Sequence, residues 1–245
     1  MLTSKGEQIL AWLEAGQDNY LPNLSVSSEI AGKSITCIVG PSAIGKSTIM
    51  RTIVESDPAF GVAGTLTTRE PRSDDNDNGK QYDYIPYTDE GLEGLTRRIE
   101  GGELVQYHVH DSTRHVYGTD VSHFPTRHSL LDATASSVTN MRRLPFGECI
   151  TIGLVAPAEQ WGEWLNLRFP VGHKSRHARI IEAITSFTWM LSQPREQVAV
   201  VENQVGHQTE VAALIIAICK GQTSAATANA RDLAAEGLRY ARKLL

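Results

Sequence analysis

Two rhythms of apolar residues alternate along this chain. At 4–15, Ile9, Leu10, Trp12 and Leu13 recur at helical spacing and predict one short amphipathic helix. A Pro/Asn/Ser-rich connector follows. SITCIVG (34–40) is then a compact β-branched run ending on glycine, the pattern of a buried strand entering a turn. KSTIMRTIVES (46–56) reads as the next helix, stopped by Asp57-Pro58. From about 65 to 127 the rhythm changes to short alternating runs, YDYI and ELVQYHVH, around one helix near 89–100. This predicts a small lobe of short strands. The first rhythm then resumes. HSLLDAT, CITIGLVAP and QVAVVEN are three more apolar strands, with helices expected near 135–143, 158–167 and 175–190. The tail, 208–220 and 224–244, reads as two closing helices. Strands alternating with helices imply an α/β fold with a parallel sheet covered on both faces.

Composition narrows the classes. With 41% hydrophobic and 21% charged residues, the chain is of ordinary globular make-up. A net charge of −5 argues against broad nucleic-acid binding, though nucleotides need only local positive charge. Cys37, Cys149 and Cys219 are far apart and form no motif, as expected of reduced thiols in the cytoplasm. No apolar run is long enough to span a membrane, and the N-terminus is not a signal peptide.

GPSAIGKS, Gly40 to Ser47, fits G-x-x-x-x-G-K-[ST] at every fixed position, with a strand before it and a helix after. The motif works through backbone chemistry. Amides of the loop and of the helix N-terminus point at phosphate oxygens. Lys46 is placed for the β/γ-phosphates and the Ser47 hydroxyl for Mg²⁺. Ser42, Ala43, Ile44, Gly45, Lys46, Ser47 and Thr48 are therefore the expected ATP-binding residues. An LSGGQ-like signature and an NKxD motif are both missing from the sequence, against an ABC-type ATPase and a GTPase.

Further pieces follow in a fixed order: TTREPR (67–72), NGKQYDYI (78–85), YGT (117–119) and SLLDAT (129–134). Together with GPSAIGKST they resemble guanylate kinase over roughly 34–220. The resemblance implies a P-loop NTPase three-layer fold with a parallel central sheet. It implies a core at 34–64 and 128–220 with a helical lid at about 166–180. A small mixed α/β monophosphate-binding lobe is inserted at 65–127. A helical extension (1–33) and a C-terminal helix (221–245) lie outside it. The implied reaction is transfer of the ATP γ-phosphate to GMP or dGMP, with Mg²⁺. The implied acceptor-phosphate clamp is Arg69, Arg72, Tyr82 and Tyr117, since paired arginines fork onto phosphate oxygens. Lys46, Arg168 and Arg179 would act on the transferring phosphoryl group. Asp132 would meet Mg²⁺ through water. A third lid arginine of the family falls on Trp164, with Arg176 as its nearest substitute.

The base-reading positions depart from the family. Gln106 and Thr134 stand where acids are expected, and Asp74 or Asp75 where a glutamate is. Thr65 and Thr119 keep hydroxyls. Either another acid such as Glu103 or Asp111 serves, or the preferred base differs: a kinase for another (deoxy)nucleoside monophosphate is the same-class alternative. A guanylate-kinase-like binding module without catalysis is the different-class one. The expected partners are small nucleotides, with neither nucleic acid nor membrane, and the chain is expected to be a monomer or homodimer. His108, His110 and His115 are read as strand histidines rather than metal ligands, and Trp161, Trp164 and Trp189 as packing residues.

Overall fold

The computed structural model describes residues 2–71, 81–110, 113–222 and 229–245. Arg72, Asp74, Asp75 and Asp111 lie outside the described residues. The chain divides into two compact units, one comprising 1–34, 61–129 and 140–148, the other 35–60, 130–139 and 149–245.

The second unit carries a parallel sheet in the order β2-β7-β1-β8-β9, from β2 (Phe60–Val62), β7 (His128–Ala133), β1 (Ser34–Val39), β8 (Glu148–Val155) and β9 (Ala199–Glu202). Residues 35–39 of β1 are all buried, which is why this strand reads as an unbroken apolar run. Helix α3 (Lys46–Ser56) buries Ile49, Met50 and Ile53 and packs along α8 (Gln208–Cys219). Helices α6 (Ala158–Arg168), α7 (Arg176–Ser192) and α9 (Ala230–Lys243) meet around Trp161, which is fully buried. Its ring lies edge-on to Phe187 and Tyr240 at 5.6 and 6.1 Å. Gly237 and Gly162 make room for those rings: a Cβ on Gly237 would meet Phe187 at 2.6 Å, and one on Gly162 would meet Tyr240 at 2.4 Å. The C-terminal helix, expected to stand outside the core, is thus a packing partner within it.

The first unit is built on a second sheet, in the order β4-β3-β6-β5, from β3 (Thr65–Thr67), β4 (Tyr82–Tyr84), β5 (Gln106–Val109) and β6 (Val116–Thr119). β3 pairs parallel with β4, and β6 pairs antiparallel with both β3 and β5, so the sheet is mixed. One face is apolar: Leu66, Tyr107, Val109 and Val116 pack with Leu92, Leu95 and Ile99 of α4 (Asp89–Glu100) and with Leu10 and Leu13 of α1 (Ser4–Gly16). The N-terminal residues, expected as a separate extension, therefore complete the core of the lobe. Two tyrosines tie them down. Tyr107 Oη donates to Leu13 O at 3.0 Å, and Tyr20 Oη donates to Leu104 O at 2.6 Å. Burial pushes both phenols up to about 12.

The Pro/Asn/Ser connector holds an unexpected helix, α2 (Leu24–Ala31), whose N-cap Asn23 accepts from Val26 N at 3.0 Å. It buries only Val26 and Ile30, one short stripe that leaves little periodicity to read. Below it in the chain, a 3-10 turn at Val121–His123 is capped by Asp120. The Asp120 carboxylate meets the fully buried His123 ring and Ser122, and Arg98 Nη2 at 2.7 Å. These partners hold it well below the usual carboxylate range.

Two outcomes follow from this packing. Leu13→Ala is expected to cost about 2–5 kcal/mol in urea denaturation, because it empties a fully buried site; an unchanged midpoint would show that α1 is not part of the folded core. Asp120→Asn is expected to destabilise at pH 7. A depressed carboxylate contributes stability above its unfolded pKa and loses it as pH falls through the folded value, so the difference from wild type should shrink below about pH 4. Melts at pH 7 and pH 3 with equal differences would remove Asp120 from that role.

Candidate functional site

The phosphate loop leaves β1 at Gly40 and enters α3 at Lys46. To make that turn, Ala43 and Gly45 adopt positive φ, 67° and 94°. Gly45 is held on two counts. Its φ is left-handed, and a Cβ there would meet Asn203 Nδ2 at 2.4 Å. Asn203, buried just beyond β9, donates from Nδ2 to Ile44 O at 2.8 Å, while its Oδ1 has no hydrogen-bond partner. Trp161 Nε1 donates to Ser42 O at 3.0 Å. Two carbonyls of the loop are thereby tied back from outside it. Neither Asn203 nor Trp161 was singled out for this from the sequence; an apolar strand end and a helical tryptophan carry no phosphate-loop signal.

Lys46 Nζ donates to Gly40 O at 2.7 Å and Pro41 O at 3.3 Å and stands 3.6 Å from Asp132 Oδ1. The ammonium, the α3 N-terminus and the Ser47 hydroxyl thus share one end of the sheet with a half-exposed carboxylate at the end of β7. This is the arrangement expected of an anion site with oxygen donors for a hard cation beside it.

The lid arginines gather near Phe169. Arg168 and Arg179 place their guanidinium carbons 5.7 and 5.8 Å from that ring, and Arg176 Nη1 donates to Phe169 O at 2.5 Å. Arg176 is therefore spent on the turn between α6 and α7. Arg179 Nη1 pairs with Glu182 Oε2 at 2.5 Å, and Glu182 in turn accepts from Ser42 Oγ at 3.1 and 3.2 Å. Glu182, unremarked in the sequence, links the phosphate loop to α7.

In the first unit, strand register gathers the expected acceptor residues on one surface. Side chains alternate across a strand. The pairings Thr65↔Tyr82, Thr67↔Tyr84, Thr67↔Tyr117, Gln106↔Thr119 and His108↔Tyr117 therefore put all these residues on the face opposite the apolar core. Arg69, buried just past β3, lies over the Tyr82 and Tyr84 rings at 5.0 and 5.9 Å and donates from Nη1 to Glu70 O. His108 stacks on Tyr117 at 5.3 Å. Thr65 Oγ1 donates to Gly118 O at 3.0 Å, whereas the buried Thr119 hydroxyl has no hydrogen-bond partner. Thr134 is not on this surface. It ends β7 in the other unit, where its hydroxyl meets Ser136 and Ser137 and accepts from Ser137 N at the start of α5 (Ala135–Arg142).

Among the described residues, Asp83, Asp120 and His123 have metal-ligand spacing. Arg98 already occupies the Asp120 carboxylate at 2.7 Å, so the group reads as an ion-pair cluster.

The guanylate kinase family model matches residues 33–146. Guanylate kinase from Salinibacter ruber is 31% identical over 129 residues, 51% of this chain and 64% of that protein. The enzyme from Frankia casuarinae is 31% identical over 104 residues, 42% of this chain and 49% of that one. The chain thus spans less than two thirds of the length of these relatives. A solved guanylate kinase from Anaplasma phagocytophilum overlaps it at TM-score 0.49 and 17% identity, over 81% of this chain and 89% of that one. Over its matched segment, residues 33–146, this chain belongs to the guanylate kinase family.

Proposed function

We propose that this chain is an ATP-dependent nucleoside monophosphate kinase of guanylate kinase type, converting GMP or dGMP and ATP to GDP or dGDP and ADP. The observation that supports it most is the polar sheet face of the lobe, where Arg69, Tyr82 and Tyr117 are gathered, in a chain that also holds an intact phosphate loop. In the reaction an acceptor phosphate oxygen attacks the γ-phosphorus and the bond to the β–γ bridging oxygen breaks. The attacking oxygen is already ionised at neutral pH, so no general base is required; positioning and charge neutralisation do the catalysis.

The loop amides and Lys46 would bind the ATP phosphates, and Arg168 and Arg179 would neutralise the transferring group. Arg69 and Arg72, with Tyr82 and Tyr117, would fix the acceptor phosphate. Thr65, Gln106, Thr119, Asp75 and Thr134 are the proposed base contacts. The Ser47 hydroxyl and, through water, Asp132 offer the oxygen ligands that suit Mg²⁺. When bound, Mg²⁺ supplies charge neutralisation at the β- and γ-phosphates. The setting we propose is purine nucleotide metabolism in the cytoplasm, as monomer or homodimer. Among the described residues no helix is long and apolar enough to cross a membrane.

An ADP-release assay over ribo- and deoxynucleoside monophosphates should show turnover with GMP and dGMP; ATP binding without turnover on any acceptor would sink the kinase reading. Lys46→Ala is expected to lower kcat by about 10²-fold or more. Arg69→Ala should raise the acceptor KM and lower kcat, with the KM for ATP changed by no more than about twofold. If the ATP KM rises and the acceptor KM does not, Arg69 belongs elsewhere.

A further inference from the structure

One corner of the polar sheet face carries polar groups that the fold does not use. Gln106 opens the edge strand β5 and is paired in register with Thr119 of β6, both side chains on the same face. Both residues are buried, at 9% and 1% exposure. The Thr119 hydroxyl has no hydrogen-bond partner, and the Gln106 carboxamide makes no hydrogen bond to any described residue. Their neighbour Thr65 shows the contrast, its hydroxyl satisfied by Gly118 O. Buried polar groups are normally paired, so two adjacent unused ones point to a partner that arrives with the ligand.

The chemistry of the pair restricts what that ligand shows them. A carboxamide presents one acceptor and one donor group side by side; a hydroxyl donates and accepts. None of the strand positions on this face is acidic. A 6-oxopurine offers a carbonyl acceptor at C6 next to an N1–H donor. The Gln106 amide fits that edge with its NH₂ to O6 and its oxygen to N1–H. Used in this way, it has no acceptor left for an amino group on C2. A carboxylate would differ, since its two oxygens accept from N1–H and the 2-amino group together.

We infer that Gln106 and Thr119 read the O6/N1–H edge of a purine and leave the 2-amino group unread, so that the chain phosphorylates IMP about as readily as GMP. The inference rests on the kinase reading above and concerns its base specificity alone. The carboxylate that competes with it is Asp18, which is exposed and lines a small cleft with Gln106, Asn140 and Arg143. Were Asp18 to take the 2-amino group, GMP would be preferred.

The test is kcat/KM for GMP and for IMP on the full chain at saturating ATP. The expected ratio lies below about tenfold, the worth of roughly one hydrogen bond; a preference for GMP above about tenfold overturns the inference. Turnover of neither nucleotide would sink the kinase reading itself, a separate result. Gln106→Glu supplies the second acceptor oxygen and is expected to raise the GMP-over-IMP ratio by about tenfold or more. A folded Gln106→Glu protein, checked by its melting midpoint, with an unchanged ratio would likewise overturn the inference. The wild-type ratio decides the matter even where the variant does not fold.

Discussion

The sharp turn between β1 and α3 is the constraint on which the larger unit depends. Within a few residues the chain must leave a buried strand, aim its amides inward and start a helix. That geometry requires left-handed backbone at Ala43 and Gly45, which is favourable only for residues with little or no side chain and only when the surroundings hold it. The surroundings do so with Asn203 on Ile44 O, Trp161 on Ser42 O and Glu182 on the Ser42 hydroxyl. Each anchor comes from a different element: the end of β9, α6 and α7. The sheet and the helices around it can therefore be seen as the frame that keeps one strained loop in a phosphate-binding conformation.

The lobe solves a different problem. A four-stranded sheet can bury one face and leave the other for function, provided that something apolar covers the first. Strand alternation separates Leu66, Tyr107, Val109 and Val116 from the threonines, tyrosines and Gln106. The cover is supplied by α4 and by α1, which lies far away in sequence. The aromatic and hydroxyl residues of the open face are then available to a ligand, and Arg69 is held by the Tyr82 and Tyr84 rings rather than left in solvent.

What the sequence by itself determined is local. The strand-turn-helix of GPSAIGKS, the boundaries of α3 and α4 and the four apolar strands of the central sheet all rest on spacing within a dozen residues, and they emerged as read. Period-2 alternation also brought Tyr82, Tyr117, Gln106 and Thr119 within reach of prediction, because register fixes faces. The short helix α2 and strand β2 escaped, since three to eight residues with two or three buried positions carry too weak a period.

Only the tertiary structure decided the rest, because it depends on which distant segments meet. That α1 belongs to the lobe core follows from Leu10 and Leu13 packing across many tens of residues onto α4 and β5. That Thr134 caps a helix start, that Arg176 holds Phe169 O, and that Asn203 holds the phosphate loop are equally invisible in the one-dimensional pattern. A motif specifies which backbone atoms face the phosphate. Long-range packing decides which side chains hold those atoms there, and no local periodicity encodes it.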